Sequence, residues 1–108
     1  NYQPLAPYLE RMPVRQLVLE YATERAGDLV PMSAPELGLG VVNPRTESIE
    51  AVDDIARSLE RALTFYPPQQ LFANPDCGFA TFSNRPVNSG AIALAKIKAI
   101  AQAVHRFR

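Results

Sequence analysis

The sequence predicts an α/β fold: one helix, then three strand–helix units that build a parallel sheet. Two observations carry this. Short runs that are apolar at consecutive residues alternate with stretches whose apolar residues recur at helical spacing. No internal repeat or low-complexity tract interrupts the alternation.

The elements follow in order. Pro4–Met12 reads as a short helix with Leu5, Tyr8, Leu9 and Met12 on one stripe, ended by Pro13. Val14–Tyr21 holds the run Leu17-Val18-Leu19 and closes on Glu20; consecutive apolar residues suit a strand buried on both faces. Ala26–Met32 is expected to form a short helical turn. Leu37-Gly38-Leu39-Gly40-Val41-Val42-Asn43 reads as a second buried strand, and its two glycines point to close approach of backbone or ligand. Ser48–Tyr66 is the clearest helix, capped by Thr46 or Ser48, with Ile49, Val52, Ile55, Ala56, Leu59, Ala62, Leu63 and Tyr66 on its apolar side. Its acids Glu50, Asp53 and Asp54 come early and Arg57 and Arg61 late, matching the helix dipole. Pro67-Pro68 stops it. Leu71-Phe72-Ala73 is a third strand, ending in Asn74-Pro75-Asp76-Cys77-Gly78-Phe79. A loop through Arg85 and Pro86 leads to a last helix, capped by Asn88 or Ser89 and buried along Ile97, Ile100, Val104 and Phe107.

Composition narrows the function. Apolar residues make up 47% of 108, enough for a core, and 11 basic residues balance 11 acidic ones. Without a basic stripe, nucleic acid and anionic membrane are excluded as partners. No apolar run approaches the roughly 20 residues that span a bilayer. One cysteine forms no internal disulfide, which fits a reducing, cytoplasmic setting. The chain opens on Asn1, directly in helical material, and reads as a fragment. Three units do not close a barrel, which takes eight units and about 250 residues. The segment is expected to need the rest of its barrel or a partner chain.

In parallel barrels the working residues sit at the C-terminal ends of strands. Here those positions are Glu20, Asn43, Asp76 and Cys77. Carboxylate and thiolate are both zinc ligands, although a zinc site takes at least three protein ligands. Each residue also has a plainer reading. Cys77 could be a small buried hydrophobe, Glu20 an ion-pair partner of Arg25, and Asn43 a turn residue before Pro44. The pair Gly38 and Gly40 could simply relieve packing, and His105 reads as a solvated residue on the outer layer.

Asn74-Pro75-Asp76-Cys77-Gly78 resembles the Asn-Pro-Asp-Cys-Gly motif of cobalamin-independent methionine synthases. Leu37–Val42 resembles their glycine-containing penultimate strand, and Leu17-Val18-Leu19-Glu20 the strand whose terminal glutamate binds zinc. Leu19-Glu20-Tyr21 followed by Glu24–Asp28 is similar to the short single-barrel relatives. The resemblance implies that residues 1–108 are the C-terminal part of a zinc-methyltransferase barrel. That part comprises the last three strand–helix units of a (β/α)8 TIM barrel, preceded by one helix. It implies methyl transfer from a methylated folate or similar donor to a homocysteine-like thiol, in methionine biosynthesis. Zinc, one ion per full-length chain, would hold the thiol as thiolate. Glu20 and Cys77 match two of the family's four ligands; the His-x-Cys pair that supplies the others is expected upstream of Asn1, which would leave the isolated chain inactive. Asn43 and Asp76 are expected on the substrate side. The chain departs from the pattern at Val42–Thr46, which lacks the family's histidine, and Asn43 takes the place of an acid. The alternatives are a metal-free barrel enzyme of the uroporphyrinogen decarboxylase type and a non-catalytic α/β binding module.

Overall fold

The computed structural model describes residues 1–82 and 84–107. Three strands, β1 (Gln16–Leu19), β2 (Glu36–Val42) and β3 (Leu71–Pro75), form one parallel sheet in the order β1-β2-β3. In register, Leu17 stands beside Leu37 and Leu71, and Leu19 beside Leu39 and Ala73. Paired residues of parallel strands point to the same side, so these leucines form one apolar face. Helices α2 (Val52–Leu63) and α3 (Gly90–His105) cover it with Ile55, Leu59, Ala62, Ala99, Ile100 and Ala103, which join the leucines in one core.

The opposite face carries Val18, Gly38 and Phe72 in register, and it is open: Val18 is 59% and Phe72 46% exposed. β1 therefore alternates between exposed and buried residues, which corrects the expectation of burial on both faces. Among the described residues β1 and β3 each pair along one edge only. An apolar groove of about 420 Å³ runs beside β3, lined by Leu59, Leu63, Leu71, Phe72, Val104 and Phe107.

The N-terminal segment is a 3-10 turn over Gln3–Leu5 followed by α1 (Ala6–Leu9), shorter than the expected Pro4–Met12 helix. Pro7 stands in the first turn of α1, where its missing N–H is tolerated. Beyond Leu9 the Arg11 and Met12 N–H groups turn to the Tyr8 and Leu9 carbonyls three residues back, and Pro13 bars continuation. Leu5, Tyr8 and Met12 are exposed, and Leu9 alone of the expected stripe packs against the core. Between β1 and β2 the helical turn is a 3-10 turn at Glu24–Ala26, not Ala26–Met32. Gly27, with φ 72, ends it in the left-handed region that a side chain disfavours. The rest of the connection is irregular and is pinned by Tyr66. The Met32 N–H donates to Tyr66 Oη and Tyr66 Oη–H donates to the Met32 carbonyl, both at 3.1 Å. Two strand–helix units, β2–α2 and β3–α3, are thus complete, while the first strand's crossover holds no α-helix.

α2 begins at Val52, with extended Ala51 as its cap residue; Thr46 and Ser48 do not cap it. Ser48 and Glu50 are instead turned toward Lys96 of α3. α3 starts as the sequence predicts, with Ser89 Oγ accepting from the Ile92 N–H at 3.2 Å. Its buried line is Lys96, Ala99, Ile100 and Ala103, so the expected stripe is rotated and Ile97 is exposed. Where a plain loop was expected, β4 (Ala80–Phe82) and β5 (Arg85–Pro86) pair antiparallel. Among the described residues no helix is long and apolar enough to cross a membrane. The parallel strands with helices along one face fit the strand–helix arc that the sequence predicts.

Candidate functional site

The three parallel strands bring their C-terminal ends to one rim of the sheet. Glu20 follows β1, Asn43 follows β2, and Asp76 and Cys77 follow β3. The rim is irregular: the β2–β3 register shifts between Gly40 and Val42, so β2 carries one extra residue. The ladder then ends with the Asp76 N–H donating to the Val42 carbonyl at 3.0 Å.

Three consecutive amides after β1 are held by side chains. The Glu20 N–H donates to Tyr2 Oη at 2.8 Å; the Tyr21 and Ala22 N–H groups both donate to Asp76 Oδ1, at 3.1 and 3.0 Å. Tyr2 and Tyr21 lie against each other with ring centroids 5.0 Å apart. Burial pushes the Asp76 carboxyl above its ordinary value; the two amides pull it down, and the charge of nearby Glu20 adds to the rise. Glu20 is exposed and borders an open cleft of about 210 Å³ with Tyr2, Thr23 and Arg25. Among the described residues no ion pair joins Glu20 to Arg25.

Cys77 is exposed, which corrects its reading as a buried hydrophobe. Asn43 behaves as a turn residue: its Oδ1 accepts from the Arg45 N–H at 3.0 Å. Its own N–H donates to Glu50 Oε2 at 2.6 Å. Exposed His105 lies in the last turn of α3, on the helical layer as expected.

Sequence reasoning missed the support behind Asn43. Lys96, buried within α3, donates from Nζ to Glu50 Oε1 at 2.6 Å, to the Ser48 carbonyl at 2.7 Å and to Thr46 Oγ1 at 3.2 Å. Buried Asn88 donates from Nδ2 to the Pro44 and Thr46 carbonyls at 2.7 and 2.8 Å. Both tie the loop after β2 to the start of α3. The available signal was Lys96 itself, a lysine three and four residues before Ala99 and Ile100 on the apolar line.

Glu20 and Cys77 have the chemistry of zinc donors, a carboxylate and a thiol, and both are accessible. Among the described residues no three His, Cys, Asp or Glu side chains group closely enough to hold a metal. The chain thus offers two donors of the right kind and not a complete site.

Residues 3–103 match the model of the family described as cobalamin-independent synthase, catalytic domain. The methionine synthase of Pyrococcus abyssi is 39% identical over 88 residues, covering 79% of this chain and 26% of that protein. That of Pyrococcus furiosus is 32% identical over 111 residues, covering 100% of this chain and 31% of the relative. The solved B12-independent methionine synthase from Shewanella sp. W3-18-1, in complex with selenomethionine, shares the fold with a TM-score of 0.80 at 20% identity. It covers 99% of this chain and 30% of its own. The chain spans between about a quarter and a third of the length of these proteins. With residues 3–103 matched to the family model, the chain belongs to the cobalamin-independent synthase catalytic-domain family.

Proposed function

We propose that residues 1–108 are the C-terminal part of a zinc-dependent methyltransferase barrel. In this reading the whole enzyme transfers a methyl group from a methylated folate or similar donor to a homocysteine-like thiol. The setting is methionine biosynthesis in the cytoplasm. The observation that carries the reading is a family member with an accessible carboxylate, Glu20, and an accessible thiol, Cys77, on one rim of its parallel sheet. The methionine synthase names of the Pyrococcus relatives support the reaction.

Glu20 and Cys77 supply two ligands to one zinc ion, and a histidine and a second cysteine come from the rest of the barrel. A bound zinc lets a coordinated thiol ionise near neutral pH. Asn43 and Asp76 stand on the substrate side of the rim. The Asn43 backbone N–H donates to Glu50, which Lys96 anchors in turn, and this supports a fixed position for Asn43. The isolated chain, with half the ligands, is inactive.

The test is zinc content per chain in the longest native polypeptide that carries this segment. Near one zinc per chain, lost on Cys77→Ala and on Glu20→Ala, is expected. A native polypeptide that includes the upstream strands and holds no zinc sinks the proposal and promotes the metal-free barrel.

A further inference from the structure

We propose that Asp76 is a positioning residue that reaches from the end of β3, past Gly40 of β2, to the chain beyond β1. It thereby fixes Glu20 relative to Cys77. The inference rests on the reading of those two residues as ligands.

The geometry is specific. β1 and β3 are not neighbours; β2 lies between them, so their axes stand about 9–10 Å apart. An aspartate at the end of β3 reaches the far strand only if the middle strand puts nothing in its way. Gly40 leaves that gap: a Cβ there would collide with Asp76 Oδ1 and come within 2.9 Å of the Leu19 carbonyl oxygen and 3.1 Å of the Tyr21 nitrogen. Through it, one carboxylate oxygen accepts from both Tyr21 and Ala22, the residues directly after Glu20. Asp76 itself directly precedes Cys77. One side chain therefore joins the backbones that carry the two donors, and Tyr2 Oη accepts from the Glu20 amide.

The tether answers a need that packing leaves open. Glu20 and Cys77 are both exposed, so no core contact fixes their backbones, and ordering them on metal binding costs conformational entropy. A prior link removes part of that cost, the effect by which groups that orient ligands sharpen metal affinity.

The test uses the longest native polypeptide with Asp76→Ala, Asp76→Asn and Asp76→Glu, and reads two quantities. The first is amide hydrogen exchange at residues 20–22 in the metal-free protein. The second is zinc affinity by chelator competition. Asp76→Ala is expected to speed exchange at Tyr21 and Ala22 and to weaken zinc about tenfold to a hundredfold. Asp76→Asn keeps an oxygen acceptor and is expected to stay near the parent in both. If Asp76→Ala fails to fold, Asp76→Glu carries the test: it keeps the charge but overfills the gap at Gly40, and zinc should weaken. Parent-like zinc affinity in Asp76→Ala, or Asp76→Asn as weak as Asp76→Ala, overturns the tether. A parent protein that binds no zinc overturns the ligand reading, and with it the metal role of the tether; the exchange data report the tether separately.

Discussion

Lys96 Nζ lies 2.6 Å from Glu50 Oε1, with the lysine side chain at 0% exposure and the glutamate at 23%. A lysine so placed is tolerable only because its three donor hydrogens meet Glu50, the Ser48 carbonyl and Thr46 Oγ1. All three acceptors lie in the loop after β2, so the pair fastens that loop to α3.

Removing one member should therefore cost more than removing a surface pair. Lys96→Met strips Glu50 of its partner, and unfolding of the native polypeptide should show a loss of about 3 kcal/mol. Glu50→Gln should also destabilise, and the double variant should lose less than the sum, with a coupling of about 1–3 kcal/mol. Strictly additive losses would mean that the pair contributes nothing as a pair.

Two glycines give opposite predictions for the same substitution. At Gly40 an alanine Cβ meets the Asp76 carboxylate and two backbone atoms, so Gly40→Ala should destabilise by about 1–3 kcal/mol. Gly90, the first residue of α3, has nothing within 4 Å of the corresponding position. Gly90→Ala should be neutral or stabilise by about 0.5 kcal/mol. Equal effects at both sites in denaturant unfolding would contradict the gap at Gly40.

The contrast shows what the sequence makes legible. The parallel strands, α2 and the Ser89 cap follow from local pattern, because consecutive apolar runs and helical spacing report burial directly. The glycines of β2 signalled close approach, and at Gly40 the approaching group is Asp76. The residue that approaches was not legible, since Asp76 and Tyr21 are 55 positions apart and no local signal links them. Lys96 was hidden for a related reason: its partners lie 46 to 50 residues away. The late start of α2 follows from the same network, which draws Ser48 and Glu50 out of the helix. Open Val18 was misread because a consecutive apolar run does not distinguish a face covered by helices from one that faces the inside of an arc.

Acid should act on the link between α2 and α3. Arg106, capping α3, donates from Nη1 to Asp53 Oδ1 at 2.7 Å and holds that carboxyl below its ordinary value of 3.8. A depressed carboxyl stabilises the fold above its unfolded pKa, and that contribution is lost as pH falls through the folded one. Because Asp53 is exposed, the effect is small and screened by salt. The parent should melt slightly above Asp53→Asn at about pH 6, and the difference should shrink as pH falls below the ordinary carboxylate value of 3.8. A difference that grows on acidification would reverse the sign and refute the pairing.

The open face of the sheet predicts how the 108-residue chain behaves alone. Val18 and Phe72 stand exposed on either side of Gly38, and among the described residues β1 and β3 each present an unpaired edge. Exposed apolar surface beside free strand edges invites association. The isolated chain should therefore bind an environment-sensitive hydrophobic dye and self-associate at micromolar concentration. Phe72→Ser with Val18→Thr should reduce both, since neither side chain belongs to the core cluster beneath α2 and α3. On the barrel reading, the longest native polypeptide should show neither behaviour, because further strands would cover that face. A monodisperse 11.9 kDa monomer that unfolds cooperatively and binds no dye would count against the barrel-segment reading and favour a self-sufficient α/β module.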